Sequence, residues 1–151
     1  MGEIIIDDAR HEDIPDLVQL LDELFSIEQD FTPDHVKQAQ GLELLIANPS
    51  RANIKVARNA QGKVIGMVSA QFVISTAQGA PSAWVEDMVV STEYRGTGIG
   101  KVLLESALAW AKENGATRAQ LLVDISNEPA LGYYSHLGWQ STSLQARRVF
   151  L

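Results

Sequence analysis

The stretch from Ala83 to Asn114 constrains this chain more than any other. It opens on a mostly apolar run, Ala83-Trp84-Val85-Glu86-Asp87-Met88-Val89-Val90, whose composition predicts a strand over residues 83–91. A six-residue turn, Arg95-Gly96-Thr97-Gly98-Ile99-Gly100, follows at once. A helix is predicted over residues 98–114, because Ile99, Leu103, Leu104, Ala107, Leu108 and Ala111 recur at helical spacing. Gly115 then stands where a left-handed C-cap is wanted. A strand that feeds a helix through glycines presents the helix's unpaired amides at the strand's end, and phosphates bind there. Glycines let a bulky anion approach the main chain. Arg95 and Lys101 add positive charge at that point.

Two familiar phosphate loops do not fit. A Walker loop needs four residues between its first glycine and the Gly-Lys pair, then Ser or Thr. Here Thr97, Gly98 and Ile99 alone separate Gly96 from Gly100-Lys101, and Val102 carries no hydroxyl. A dinucleotide fingerprint begun at Gly96 would need glycine where Lys101 stands, and it normally follows the first strand of its unit.

The remaining elements place this stretch in a larger frame. Residues 3–7 read as a strand, and Asp13 with Pro15 opens a helix that buries Leu17, Leu20, Leu21, Leu24 and Phe25. After a polar loop over residues 26–31, Thr32-Pro33 begins a second helix that Asn48-Pro49 stops. Residues 54–58 and 64–75 are strand-like and joined by a turn containing Asn59 and Gly62. Further on come a strand over 118–124, a short helix opened by Asn127 and Pro129 and ended by Gly138, and a last strand over 139–150. The order βααβββαβαβ implies an α/β (α+β) domain spanning residues 1–151, with a mixed, mostly antiparallel sheet and helices on both faces.

Charge and composition exclude several functions. Nineteen acidic residues against twelve basic give a formal charge of −7, without the basic stripe of a nucleic-acid binder. The absence of cysteine removes disulfides, thiolate metal sites and a cysteine nucleophile, and favours a reducing compartment. No apolar run approaches the ~20 residues that span a bilayer, and residues 1–6 lack the features of a signal peptide. A cytoplasmic protein without a membrane or nucleic-acid partner is expected. His11, His35 and His136 form no HxxxH or HExxH spacing, so no metal is expected, and no G-x-S-x-G elbow supports a hydrolase.

The turn resembles the acyl-CoA loop of the GCN5-related N-acetyltransferase (GNAT) superfamily. Arg95, Gly98 and Gly100 meet its Arg/Gln-x-x-Gly-x-Gly/Ala pattern, with Gly96 as a frequent extra. The likeness extends to the strand Trp84 to Val90, to Asn127, and to Tyr134-Ser135-His136-Leu137-Gly138-Trp139, similar to the family's Tyr-x-x-x-Gly-Phe/Trp segment. The resemblance implies that acetyl-CoA is the co-substrate and that the main chain of Gly96, Thr97, Gly98, Ile99, Gly100 and Lys101 holds its pyrophosphate. It also implies that amides around Met88, Val89 and Val90 meet the thioester and pantetheine, that Asn127 contacts pantetheine, and that Tyr134 is the general acid. Family members often dimerise, and the last strands are where a second copy would pair.

Transfer to an amine needs a base, because an alkyl amine of pKa ~10 is mostly charged at neutral pH. Glu86 is the candidate. Regular alternation puts it on one face with Trp84, Met88 and Val90, where apolar neighbours suit a base, and puts Asp87, the second candidate for that role, on the opposite face. Tyr134 suits the acid role, since a phenol of pKa ~10 stays protonated until a thiolate of pKa ~8.5 needs its proton. Glu28, Asp30, Glu86 and Asp87, with Phe25, Phe31 and Trp84 as walls, are the expected pocket for a cationic amine, whether a small molecule or a protein amino group. Two other readings stand beside enzymatic transfer: an acyl-CoA-binding sensor without turnover, and a nucleotide-binding protein using the same loop for ATP.

Overall fold

The computed structural model describes residues 2–28 and 30–151. Within the expected 26–31 loop, Gln29 therefore lies outside the described residues, as does Met1. By its internal contacts the chain divides into two compact units, Met1–Gln120 and Leu121–Leu151.

The first unit is built on a sheet in the order β1-β2-β3-β4-β5, with β1 at Ile5–Asp8, β2 at Ala52–Arg58, β3 at Val64–Ser75, β4 at Ala80–Val90 and β5 at Arg118–Leu121. The first four strands pair antiparallel. Thr117 N–H donates to the Pro81 carbonyl at 3.1 Å, so β5 begins beside the start of β4. With a helix as the crossover between them, β5 runs parallel to β4, which makes the sheet mixed as expected. Only four residues long, β5 flanks only the first part of β4.

Helices cover both faces. On one, α1 (Ile14–Ile27) and α2 (His35–Ile46) enclose Leu17, Leu21, Leu42, Ile54, Val56, Met67 and Val89 in one apolar cluster. On the other lies α3 (Ile99–Glu113), whose Leu103, Leu104, Ala107 and Ala111 are buried. The seven residues from Val64 to Ala70 of β3 are all buried, the mark of a strand covered on both sides. Gly66 allows the close approach of α3, since a Cβ there would sit 3.0 Å from Leu103 Cδ1.

Two helix starts differ from the sequence expectation. Helix α2 begins at His35, not at Thr32-Pro33, because Asp34 is its cap and accepts from Lys37 N–H at 3.1 Å. Asp13 does stand at the start of α1 but makes no side-chain cap. Its carboxylate instead meets both terminal nitrogens of Arg58 at 2.7 Å and the Arg10 amide at 2.7 Å, and the Arg58 guanidinium holds it below the usual carboxylate range.

The second unit contains α4 (Glu128–His136), opened by Asn127 and Pro129 as expected. Gly138, at φ 93°, follows the helix end. The strand expected over residues 139–150 is not formed. Leu144, Val149 and Phe150 are 80 to 87% exposed, so this segment lacks the apolar burial that would hold it in a ladder. The expected dimer pairing rested on that strand.

Candidate active site

The glycine turn follows β4 through a single helical turn at Thr92–Tyr94. Gly96 and Gly98 take φ values of 75° and 86°, in the left-handed region that side-chain-bearing residues avoid. A Cβ at either would meet nothing within 4 Å, so glycine is needed here for backbone angle and not for space. Gly98 is the N-cap of α3 and makes no side-chain cap. The first-turn amides of a fifteen-residue helix, with their partial positive charge, therefore open where no side chain covers them. Arg95 is pinned beneath the turn by its Nε, which donates to the Val90 carbonyl at 2.8 Å. Lys101 lies one step into the helix, 3.8 Å from Glu105. The arrangement suits a diphosphate: open main-chain donors and two cations, with no carboxylate from Arg95 to Lys101.

The end of β4 departs from the regular strand that alternation predicts. Met67 faces Val89 and Ser69 faces Glu86, so Val68 alone opposes both Asp87 and Met88. This is a β-bulge. Asp87 has φ 55°, the single positive value among the described non-glycine residues. The extra residue resets the alternation, putting Glu86 on one face with Val89 instead of Met88 and Val90. It also turns Asp87 to the same side as Glu86: both line one groove, and the opposite-face placement expected for Asp87 is corrected. One sign was available in the sequence. Two adjacent carboxylates on a regular buried strand would send one of them into the core, and a bulge avoids this.

The groove has a volume of about 760 Å³ and runs between α1, α2 and the edge of β2 to β4. Phe25 and Phe31 form part of its wall, with ring centroids 5.3 Å apart, and Leu42 forms more, whereas the Phe72 ring stacks on Trp110 of α3 with centroids 4.6 Å apart. Glu86 is exposed at its margin and anchored by Trp84, whose indole Nε1 donates to Oε1 at 2.6 Å. Asp87 is different. Burial, reinforced by the neighbouring charges of Glu86 and Glu28, pushes its carboxyl up to about 7. The desolvated carboxyl at this site is thus that of Asp87. Of the expected anionic pocket, Glu86 and Asp87 line the groove and Glu28 acts on Asp87, while Asp30 is not among its lining residues. Trp84 lines a separate depression of about 380 Å³ with Ser82 and Arg118.

In the second unit, Tyr134 stands half-buried on α4, edge-on to Trp139 with centroids 5.9 Å apart and to Tyr133 at 5.3 Å. The spacing of the Tyr-x-x-x-Gly-Trp segment thus brings its two aromatic ends together. Asn127 is the N-cap of α4, its Oδ1 accepting from Ala130 N–H at 3.1 Å. Among the described residues no three histidine, aspartate or glutamate side chains gather as a metal site, and no helix is long and apolar enough to cross a membrane.

The Acetyltransferase (GNAT) family description matches residues 14–139, and the chain belongs to that family. Among curated relatives, a Bacillus subtilis (strain 168) protein named "Putative ribosomal protein bS18-alanine N-acetyltransferase" is 31% identical over 121 residues, 80% of this chain and 74% of that protein. The chain spans between 35% and 57% of the length of further N-acetyltransferase relatives. Among solved structures, a possible acetyltransferase from Clostridium difficile 630 superposes with a TM-score of 0.86 at 18% identity, covering 98% of this chain and 97% of that one. A predicted acetyltransferase from Clostridium acetobutylicum, solved with acetyl-CoA, gives 0.79 at 18% identity over 97% and 96% of the two chains. At these identities the two structures speak for the fold.

Proposed function

We propose that the protein transfers an acetyl group from acetyl-CoA to a primary amine by direct attack of the amine on the thioester. The observation that carries this reading is the pairing, at one strand end, of an uncapped left-handed glycine turn with a bulge that aims two carboxylates into a groove. Residues 96–101 supply amides for the pyrophosphate, with Arg95 and Lys101 as counter-charges. The short β5 leaves the later part of β4 without that neighbour, which supports the main-chain amides over Met88, Val89 and Val90 that point away from β3 as donors to the thioester oxygen and the pantetheine arm. Donors of this kind are worth ~3 kcal/mol at a transition state.

Glu86 and Asp87 divide the work on the amine. Glu86, the base expected from the sequence, faces the groove mouth and draws in the ammonium. Asp87, raised to about 7, takes its proton as the nitrogen attacks: a base matched to neutral pH transfers protons most effectively. Tyr134 gives its proton to the departing thiolate, and Asn127 holds pantetheine in addition to capping α4. Both of these roles follow from the family's Tyr-x-x-x-Gly-Trp segment and asparagine.

Steady-state thiol release with acetyl-CoA and a panel of primary amines tests the proposal. Release that depends on the amine, and competition by CoA but not by ATP, is the expected result. Binding of acetyl-CoA with no amine-dependent release would make the protein a sensor, and displacement by ATP would make it a nucleotide binder.

A further inference from the structure

The sheet face that carries the groove continues beyond it. Before the bulge, Ser82, Trp84 and Glu86 alternate onto one face of β4, opposite Val73, Gln71 and Ser69 of β3. Ser69 also opposes Ile54 of β2, a member of the cluster under α1 and α2, so these side chains all stand on the α1 and α2 side of the sheet. At the start of β4 no helix residue lines the depression of about 380 Å³, whose walls come from β3, β4 and β5. Arg118, the first residue of β5, is held in it. Its Nε donates to Ser82 Oγ at 3.2 Å, and Ser82 is 4% exposed, so a buried hydroxyl fixes a half-buried guanidinium on this face. Gln120, two residues along β5, lines the same depression, and Val73 and Ile74 form its apolar wall.

Trp84 divides the depression from the groove. Its indole lines the depression, while Nε1 donates to Oε1 of Glu86, which lines the groove. Gln71, which opposes Trp84 on β3, also lines the groove. The two cavities therefore adjoin along β4, with one aromatic ring between them. Ser82 and Glu86 are four residues apart on the strand, roughly 13 Å at ordinary strand rise. Arg118 is tied to Ser82 at one end of this span, and the Glu86 carboxylate is tied towards the middle by Trp84. The cation and the carboxylate are thus on the order of 10 Å apart.

We propose that the depression is a second subsite for the acceptor: from the amine at Glu86 and Asp87 an apolar arm crosses the Trp84 ring and ends in a carboxylate on Arg118. This deepens the acetyl-transfer reading and rests on it for the role of the amine end. A guanidinium engaged through Nε presents its two terminal nitrogens, the pair that meets a carboxylate in two-pronged fashion. The indole, with Val73 and Ile74, offers the arm an apolar bed. One guanidinium in a chain of formal charge −7 matches a singly charged anion better than a phosphate dianion. Arg118 is then the specificity-determining residue, and Ser82 is a positioning residue that acts through it.

The test measures chain length and charge together, with 8-aminooctanoate, 8-aminooctanamide, 4-aminobutanoate and 4-aminobutanamide as acceptors. An extended chain advances ~3.3–3.6 Å for every three backbone bonds, so the eight-carbon acid spans the two subsites and the four-carbon acid does not. The expected result is a kcat/KM about tenfold or more higher for 8-aminooctanoate than for its amide, as a charged hydrogen bond supplies. The four-carbon pair should show no preference for the acid, since the acidic protein by itself disfavours an anion. Arg118→Gln should erase the eight-carbon gap, whereas Arg118→Lys and Ser82→Ala should each keep part of it. A variant damaged in its fold would lower all four amines alike, so the ratio of acid to amide isolates recognition from stability. Equal turnover of the eight-carbon acid and amide, a gap that survives Arg118→Gln, or the same gap at four carbons would overturn the proposal. Calorimetric binding of 8-aminooctanoate against 8-aminooctanamide makes the comparison without catalysis. If no amine released thiol but the acid still bound selectively and Arg118→Gln abolished that preference, the transfer reading would fall and the subsite would stand.

Discussion

Two neighbouring stretches of the main chain take left-handed backbone angles, and they differ in what that costs. In the turn after β4, Gly96 and Gly98 carry the positive φ, a conformation glycine adopts freely. At the bulge a few residues earlier, Asp87 carries it, and a residue with a Cβ is strained there by ~1–2 kcal/mol. The turn costs little in strain and leaves the first-turn amides of α3 without a side-chain cap, an arrangement that suits an anion. The bulge spends stability to bring a second carboxylate into a groove that regular alternation would have denied it. Strain of this kind persists where the surrounding structure fixes it, and here Ser69 Oγ donates to the Glu86 carbonyl at 3.1 Å, tying the bulge to β3.

The contrast is most exposed to test at Asp87. Asp87→Asn keeps a side chain that tolerates the left-handed angle but removes the base, so kcat should fall by about 10²-fold or more with acetyl-CoA KM little changed. Parent activity should rise with pH to a bend near 7, as the carboxyl deprotonates, and that bend should be missing from the Asn variant. A variant that kept both activity and bend would leave the bulge a structural feature only.

Gly98→Ala asks whether the turn depends on backbone angle alone. Nothing blocks the added methyl, so the damage should come from φ: a Tm lower by about 3–6 °C and a roughly tenfold higher acetyl-CoA KM. Gly98→Asn should do less harm than Gly98→Ala, because asparagine visits the left-handed region more readily. An alanine variant of unchanged Tm would mean that the turn does not need its glycine.

Glu86→Gln should act more mildly, raising the KM for the amine by about three- to tenfold with kcat largely kept, as expected of a charge that attracts without taking the proton. A kcat loss as large as that of Asp87→Asn would exchange the two roles.

The smallest effect is on stability. The folded Asp87 carboxyl holds its proton up to about pH 7, whereas the unfolded one releases it near 3.8. Between those values the folded state binds the extra proton, so this residue's contribution to stability falls as pH rises through the window. Asp87→Asn should therefore melt higher than the parent at about pH 8, by on the order of 3 °C, with the difference shrinking towards pH 4. Thermal melts at the two pH values decide it.

The fold and the site were unequally legible in the sequence, for a physical reason. Strand β3 over Val64–Ser75 and helix α3 up to Gly115 could be read directly, because long apolar runs and helical spacing record burial in the order of residues. The segment over residues 139–150 misled, since its scattered apolar residues look like a strand but enter no strand pairing. Asp13 misled in a smaller way. A residue of the right type at a helix start reads as a cap, and only the fold showed that Arg58, forty-five positions along the chain, had claimed its carboxylate.

By itself the sequence determined the glycine turn, the strand before it and the helix after it, because a left-handed angle leaves a visible trace when glycine supplies it. It also fixed the Tyr134 and Trp139 spacing that brings the two rings together. Only the tertiary structure decided where β4 bulges, and with it that Asp87 joins Glu86 in one groove. The bulge is set by register against β3, a pairing between residues far apart in sequence, and pairings of that kind are absent from the local order of residues.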